Sequence, residues 1–127
     1  YAGLKKNIKH SVKMLKKNRK KYDYFYVHFK ATDVPGHDGR PRDKIRMIEE
    51  IDEKFFGFLK KYLGEGKLVV TADHMTSSEK KGHTSGAVPV LIYNCGKGKK
   101  TERFTEVDGL GGKRWVGRKL LEGTLFK

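Results

Sequence analysis

The sequence predicts an α/β fold, a mostly parallel sheet flanked by helices. Three observations predict it. Apolar runs at residues 24–29, 67–72 and 88–93 have strand length and little charge, as strands covered on both faces do. Amphipathic stretches at residues 4–22 and 43–63 alternate with the first two runs, the order of parallel βαβ units. Asp and His follow the first two runs directly, and a further His precedes the third. In open parallel sheets, ligands bind beyond the carboxyl ends of the strands.

With 127 residues the chain has room for one core, so residues 1–127 are expected to form a single domain. No apolar run approaches the roughly 20 residues of a membrane helix. The opening Tyr1-Ala2-Gly3 is neither an initiator Met nor a signal peptide, which leads us to expect that the chain begins inside a longer protein. Cys95 is the only cysteine, so an internal disulfide is excluded and a cytoplasmic location is expected. The net charge of +14 admits nucleic acid, small anionic substrates, or the Lys and Glu enrichment of thermophiles as its explanation.

The first helix is expected over residues 4–22, with Leu4, Ile8, Val12, Leu15 and Tyr22 on one face and lysines on the rest. Those lysines read as a solvated surface, because no aromatic residues are interleaved for base stacking; His10 is expected to be exposed there. In the first strand His28 is either functional or a hydrogen-bonded core residue, and Lys30 at the exit is the candidate for an anion contact. Pro35 and Gly36 then turn the chain within residues 32–39. That loop lacks the alternating ligands and closing Glu of an EF-hand. The long helix over 43–63 takes Asp43 as its N-cap and Gly64 as its stop, with Ile45, Ile48, Ile51, Phe55, Phe58, Leu59 and Tyr62 as its apolar stripe. Glu49, Glu50, Asp52 and Glu53 read as solvated partners for Lys and Arg one turn away. Beyond Tyr93, the sequence suggests a basic turn from Gly96 through Lys97, Gly98, Lys99 and Lys100, and an edge strand at Arg103-Phe104-Thr105. A loop at Gly109-Leu110-Gly111-Gly112 and a closing helix over 115–121 follow.

Asp33 and His37, Asp73 and His74, and then His83 form the ligand inventory of a two-cation site. Carboxylate and imidazole without thiolate favour manganese, zinc, cobalt or iron. Two cations about 3.5–4 Å apart clamp a phosphoryl group and activate the attacking oxygen.

The motifs Tyr26-Val27-His28-Phe29-Lys30-Ala31-Thr32-Asp33, Gly36-His37-Asp38-Gly39, Val70-Thr71-Ala72-Asp73-His74 and His83-Thr84-Ser85 resemble the archaeal-type cofactor-independent phosphoglycerate mutases of the alkaline phosphatase superfamily. Lys44, Ile48-Glu49, Ile51-Asp52, Val88-Pro89-Val90 and Phe104-Thr105-Glu106 fit the same pattern. The resemblance implies an alkaline-phosphatase-like core of which this chain is the C-terminal portion. It implies Asp33, His37 and His83 on one metal, Asp73 and His74 on a second, and Lys30 as a substrate contact. The two divalent ions would be manganese first, with zinc, cobalt or magnesium as alternatives. The implied reaction interconverts 3-phosphoglycerate and 2-phosphoglycerate through a phosphoserine. The nucleophilic Ser has no counterpart here, because Ser77, Ser78 and Ser85 lie in other motifs, so no catalytic residue is assigned. The expected partners are phosphoglycerate and the missing N-terminal portion, not nucleic acid or membrane. The isolated chain is expected to be inactive. The alternatives are another metal-dependent phosphohydrolase of that superfamily and a basic nucleic-acid-binding module.

Overall fold

The computed structural model describes residues 3–95 and 100–127, so Gly96, Lys97, Gly98 and Lys99 of the expected basic turn lie outside the described residues. The chain divides into two compact units. One runs up to Tyr62 and adds Thr76–His83; the other combines Leu63–Met75 with Thr84–Lys127.

In the first unit α1, Gly3–Asn18, buries Leu4, Ile8 and Leu15, the face its spacing predicts. The helix stops at Asn18, short of the expected end at residue 22, and Tyr22 is half exposed outside it. The Asn18 side-chain amide donates to the Met14 carbonyl at 2.9 Å, the local competition for backbone acceptors that disfavours Asn within helices. Residues 24–29 have no regular secondary structure and pair with no strand among the described residues. A strand is completed by its neighbour's hydrogen bonds, and among the described residues no strand pairs with this run. Burial alternates only from Tyr26 onward: Tyr26 and His28 are exposed and Val27 and Phe29 half-buried, while Tyr24 and Phe25 are both exposed. The Phe29 ring meets Phe55 edge-on at 4.9 Å. The option of a core position for His28 is therefore corrected.

The long helix is built in three parts: α3, Pro41–Ile51; a π-helical turn, Asp52–Phe56; and α4, Gly57–Tyr62. Pro41, with its fixed φ, starts the helix at its first position, so Arg40 takes the cap place and Asp43 lies in the first turn instead. The buried stripe is Met47, Ile51, Phe55 and Leu59, whereas Ile45 and Ile48 are more than half exposed. Lys54 binds Glu50 at 2.6 Å one turn away, as expected for solvated helix charges. A hairpin of β2, Met75–Ser77, and β3, Gly82–Thr84, carries Thr76–His83 into this unit.

In the second unit β1, Leu68–Val70, pairs antiparallel with β4, Leu91–Tyr93, in the register Leu68 to Tyr93 and Val70 to Leu91. The parallel pairing expected from sequence is thus not what these strands adopt. Parallel neighbours need a crossover of a dozen or more residues, usually a helix, and the connection from β1 to β4 contains the β2–β3 hairpin and no helix. Thr71 Oγ1 donates to the Pro89 carbonyl at 3.1 Å, and buried Cys95 donates to the Leu68 carbonyl at 3.7 Å. The edge strand expected at Arg103-Phe104-Thr105 is absent among the described residues. Thr105 instead caps α5, Glu106–Gly109, its hydroxyl accepting from the Asp108 amide at 3.1 Å. The glycine cluster is the turn leaving α5, as expected for a loop, and α6, Gly117–Gly123, is the closing helix.

Candidate metal centre

The centre begins where the run 24–29 gives way to a 3₁₀ turn, Lys30–Thr32, and then to α2, Asp33–His37. The loop expected here is a single turn of helix. That turn is what gives Asp33 and His37 a common face, since side chains four apart on a helix stand one above the other. His37 Nε2 lies 3.4 Å from Asp33 Oδ1. His83, expected at a strand end just before the third apolar run, precedes β4 and itself sits in the middle of the short strand β3, with Nε2 3.7 Å from the same oxygen. The two imidazole rings are 4.9 Å apart, and one ligand atom from each of the three residues lies within 4.8 Å of the others.

These separations fit a cation. Ligands at about 2.1 Å from a tetrahedral ion stand about 3.4 Å from one another. The donor set is one carboxylate and two imidazoles, with three ligands leaving coordination positions open, the pattern of catalytic sites. The side chains of His37 and His83 are 42% and 55% exposed, so those positions are open to water or substrate. Asp33 is the more enclosed ligand, 22% exposed.

Thr76 gave no signal in the sequence, being one polar residue in a short polar run. Its hydroxyl donates to Asp33 Oδ1 at 2.6 Å, and it is buried. Its carbonyl accepts from Lys44 Nζ of α3 at 2.6 Å. Gly36 is needed beneath it, because a Cβ there would stand 2.8 Å from Thr76 Cγ2.

Asp73 and His74 occupy the bend that follows β1, in the second unit. The bend lets adjacent residues face one another: His74 Nε2 lies 3.3 Å from Asp73 Oδ2, and the His74 amide donates to Asp73 Oδ1 at 3.1 Å. Lys30 is exposed in the turn before α2. Lys5, Lys9, Lys13 and Lys16 line an open groove along α1 over Val12 and Phe58, and no metal-ligating candidate borders it.

Residues 4–118 match the model of the Metalloenzyme superfamily. The chain is 45% identical over 87 residues to a Thermosipho melanesiensis relative named "Probable 2,3-bisphosphoglycerate-independent phosphoglycerate mutase", covering 68% of the chain and 21% of the relative. A relative of the same name from Aquifex aeolicus is 42% identical over 106 residues, covering 83% of the chain and 26% of the relative. The 2,3-bisphosphoglycerate-independent phosphoglycerate mutase of Pyrococcus abyssi is 38% identical over 96 residues, covering 73% and 23%. The chain thus spans about a fifth to a quarter of the length of the curated relatives it matches. No solved structure matches it.

Proposed function

Because the chain belongs to the Metalloenzyme superfamily, we propose that it is the metal-carrying part of a 2,3-bisphosphoglycerate-independent phosphoglycerate mutase. The observation that carries the reading is the convergence of Asp33, His37 and His83 within 4.8 Å in a chain whose relatives bear that name. In this reading the three hold one divalent cation, with manganese ahead of zinc, cobalt and magnesium. Asp73 and His74 contribute to a second. Bound cations would supply charge neutralisation at the phosphoryl oxygens and activation of the attacking oxygen. Asp33 offers the anionic ligand, while neutral His37 and His83 offer nitrogen lone pairs. Lys30, exposed before the helical turn, is placed as a contact for an anionic substrate. The nucleophilic Ser that carries the phosphoryl group between hydroxyls comes from outside this chain, together with a further carboxylate for the second ion. We also place residues 24–29 as a strand of a mostly parallel, alkaline-phosphatase-like sheet whose neighbours lie in that remaining length. Residues 1–127 are then one portion of a larger domain. We place it in the cytoplasm, where the substrate named for this reading would be met. Among the described residues no helix is long and apolar enough to cross a membrane.

The match over residues 4–118 includes α1, which weighs against α1 belonging to a separate nucleic-acid-binding module. Another phosphohydrolase of the superfamily would share the metal ligands and differ in product. The test is a chimaera in which this chain replaces the matching segment of the Pyrococcus abyssi relative. With manganese and 3-phosphoglycerate it should form 2-phosphoglycerate, and Asp33→Ala should abolish the activity. The 127-residue chain alone should give no 2-phosphoglycerate. A folded, metal-loaded chimaera that only releases phosphate would replace the mutase reading with the hydrolase.

A further inference from the structure

Asp33 is asked to do more than the two histidines. Its Oδ1 lies nearest both imidazoles, 3.4 Å from His37 and 3.7 Å from His83, and the same oxygen accepts the Thr76 hydroxyl at 2.6 Å. A carboxylate on a short side chain can rotate, and each orientation offers a cation a different oxygen. An ionised carboxylate has about four lone-pair directions, and one strong hydrogen bond uses one of them and fixes the rotation with which the group meets a cation. Thr76 is 8% exposed, so water does not readily take the place of its hydroxyl.

The threonine is itself held from two sides. Its backbone carbonyl accepts from Lys44 Nζ at 2.6 Å, tying β2 to α3. Its Cγ2 rests on Gly36, in the middle of α2, where a Cβ would come within 2.8 Å. Thr76 and His83 lie on the two strands of one hairpin, so the bond from Thr76 to Asp33 also sets where the hairpin presents His83 to the helical turn.

We infer that Thr76 is a positioning residue for the cation: its buried hydroxyl orients the Asp33 carboxylate, and the hairpin it anchors delivers His83 as third ligand. This rests on the reading of Asp33, His37 and His83 as metal ligands. Outer partners of this kind set about ten- to hundredfold of metal affinity. The two halves of the threonine separate the role from simple packing. Thr76→Val keeps the methyl group on Gly36 and loses the hydroxyl; Thr76→Ser keeps the hydroxyl and loses the methyl.

The experiment is calorimetric titration of the 127-residue chain with Mn²⁺, alongside the visible spectrum of its Co²⁺ form and its melting temperature. Thr76→Val should bind about ten- to hundredfold more weakly with an altered Co²⁺ spectrum. Thr76→Ser should bind close to the parent, even with a lower melting temperature. Should Thr76→Val fail to fold, Thr76→Ala carries the same comparison against Thr76→Ser. Parental affinity in Thr76→Val, or equal weakening in Val and Ser variants, would overturn the role of the hydroxyl. A parent chain that binds no metal, or binds it equally after Asp33→Ala, would instead overturn the metal reading, and this inference with it.

Discussion

At the scale of single residues, chemistry depends on which lone pairs and charges face each other. Asp33 Oδ1 gathers the nearest approaches of two imidazoles and one hydroxyl, so removing its carboxylate is expected to leave the two imidazoles without their shared partner, whereas removing either histidine leaves the other beside the carboxylate. Elsewhere the charges act as ordinary helix pairs. Lys54, hydrogen-bonded to Glu50, holds its carboxyl below the usual carboxylate value of 4.5, with a smaller contribution from Lys5. The folded chain therefore resists protonation of Glu50 more than the unfolded chain does. The pair's contribution is complete above pH 4.5 and is lost as the pH falls through the lowered folded value. Glu50→Gln should lower the melting temperature at neutral pH, and the gap should close in acid. A gap unchanged down to about pH 3, well below the ordinary glutamate range, would show that the effect is not electrostatic. The convergence of Asp33 and His37 was legible from their spacing of four and that of His83 from its motif, because carboxylate and imidazole are visible in residue type. Thr76 was not, because a hydroxyl donor looks the same in sequence whether it faces solvent or a ligand carboxylate.

At the scale of elements, periodicity identified what is local. The buried face of α1 and the long helix follow from repeating apolar positions, and Gly64 stops the helix as expected at φ +55°. Gly64→Ala should destabilise the chain by about 1–2 kcal/mol, the strain of a left-handed Cβ, since nothing crowds the position. Urea unfolding with an unchanged midpoint would refute the assignment. The π-helical turn at Asp52–Phe56 escaped the reading because it inserts a phase shift that no residue type announces. Strand pairing escaped it for another reason. Residues 24–29 and 67–72 carry the apolar signature of covered strands, but the signature says nothing of which neighbour supplies the hydrogen bonds or in which direction. In the structure β1 takes β4, and the first run takes none among the described residues.

At the scale of the molecule, a net charge of +14 offered several partners and chose none. The match over residues 4–118 shows the superfamily of metalloenzymes, and three residues that could hold a cation converge; both support the phosphoryl substrate of the proposed function. The match takes in most of both units, while the relatives are about three times the length of this chain, 87 matched residues being 21% of one and 106 being 26% of another. A phosphoryl carrier and a second ion's remaining ligands are proposed for that length, so the central claim testable on this chain is the first cation site. X-ray absorption of the Zn²⁺-loaded chain tests it most directly. The expected spectrum has two imidazole nitrogens and carboxylate or water oxygens at about 2.0–2.2 Å, with one imidazole lost in His37→Ala and one in His83→Ala. A sulfur shell at about 2.3 Å, or an imidazole count unchanged in both variants, would contradict the account.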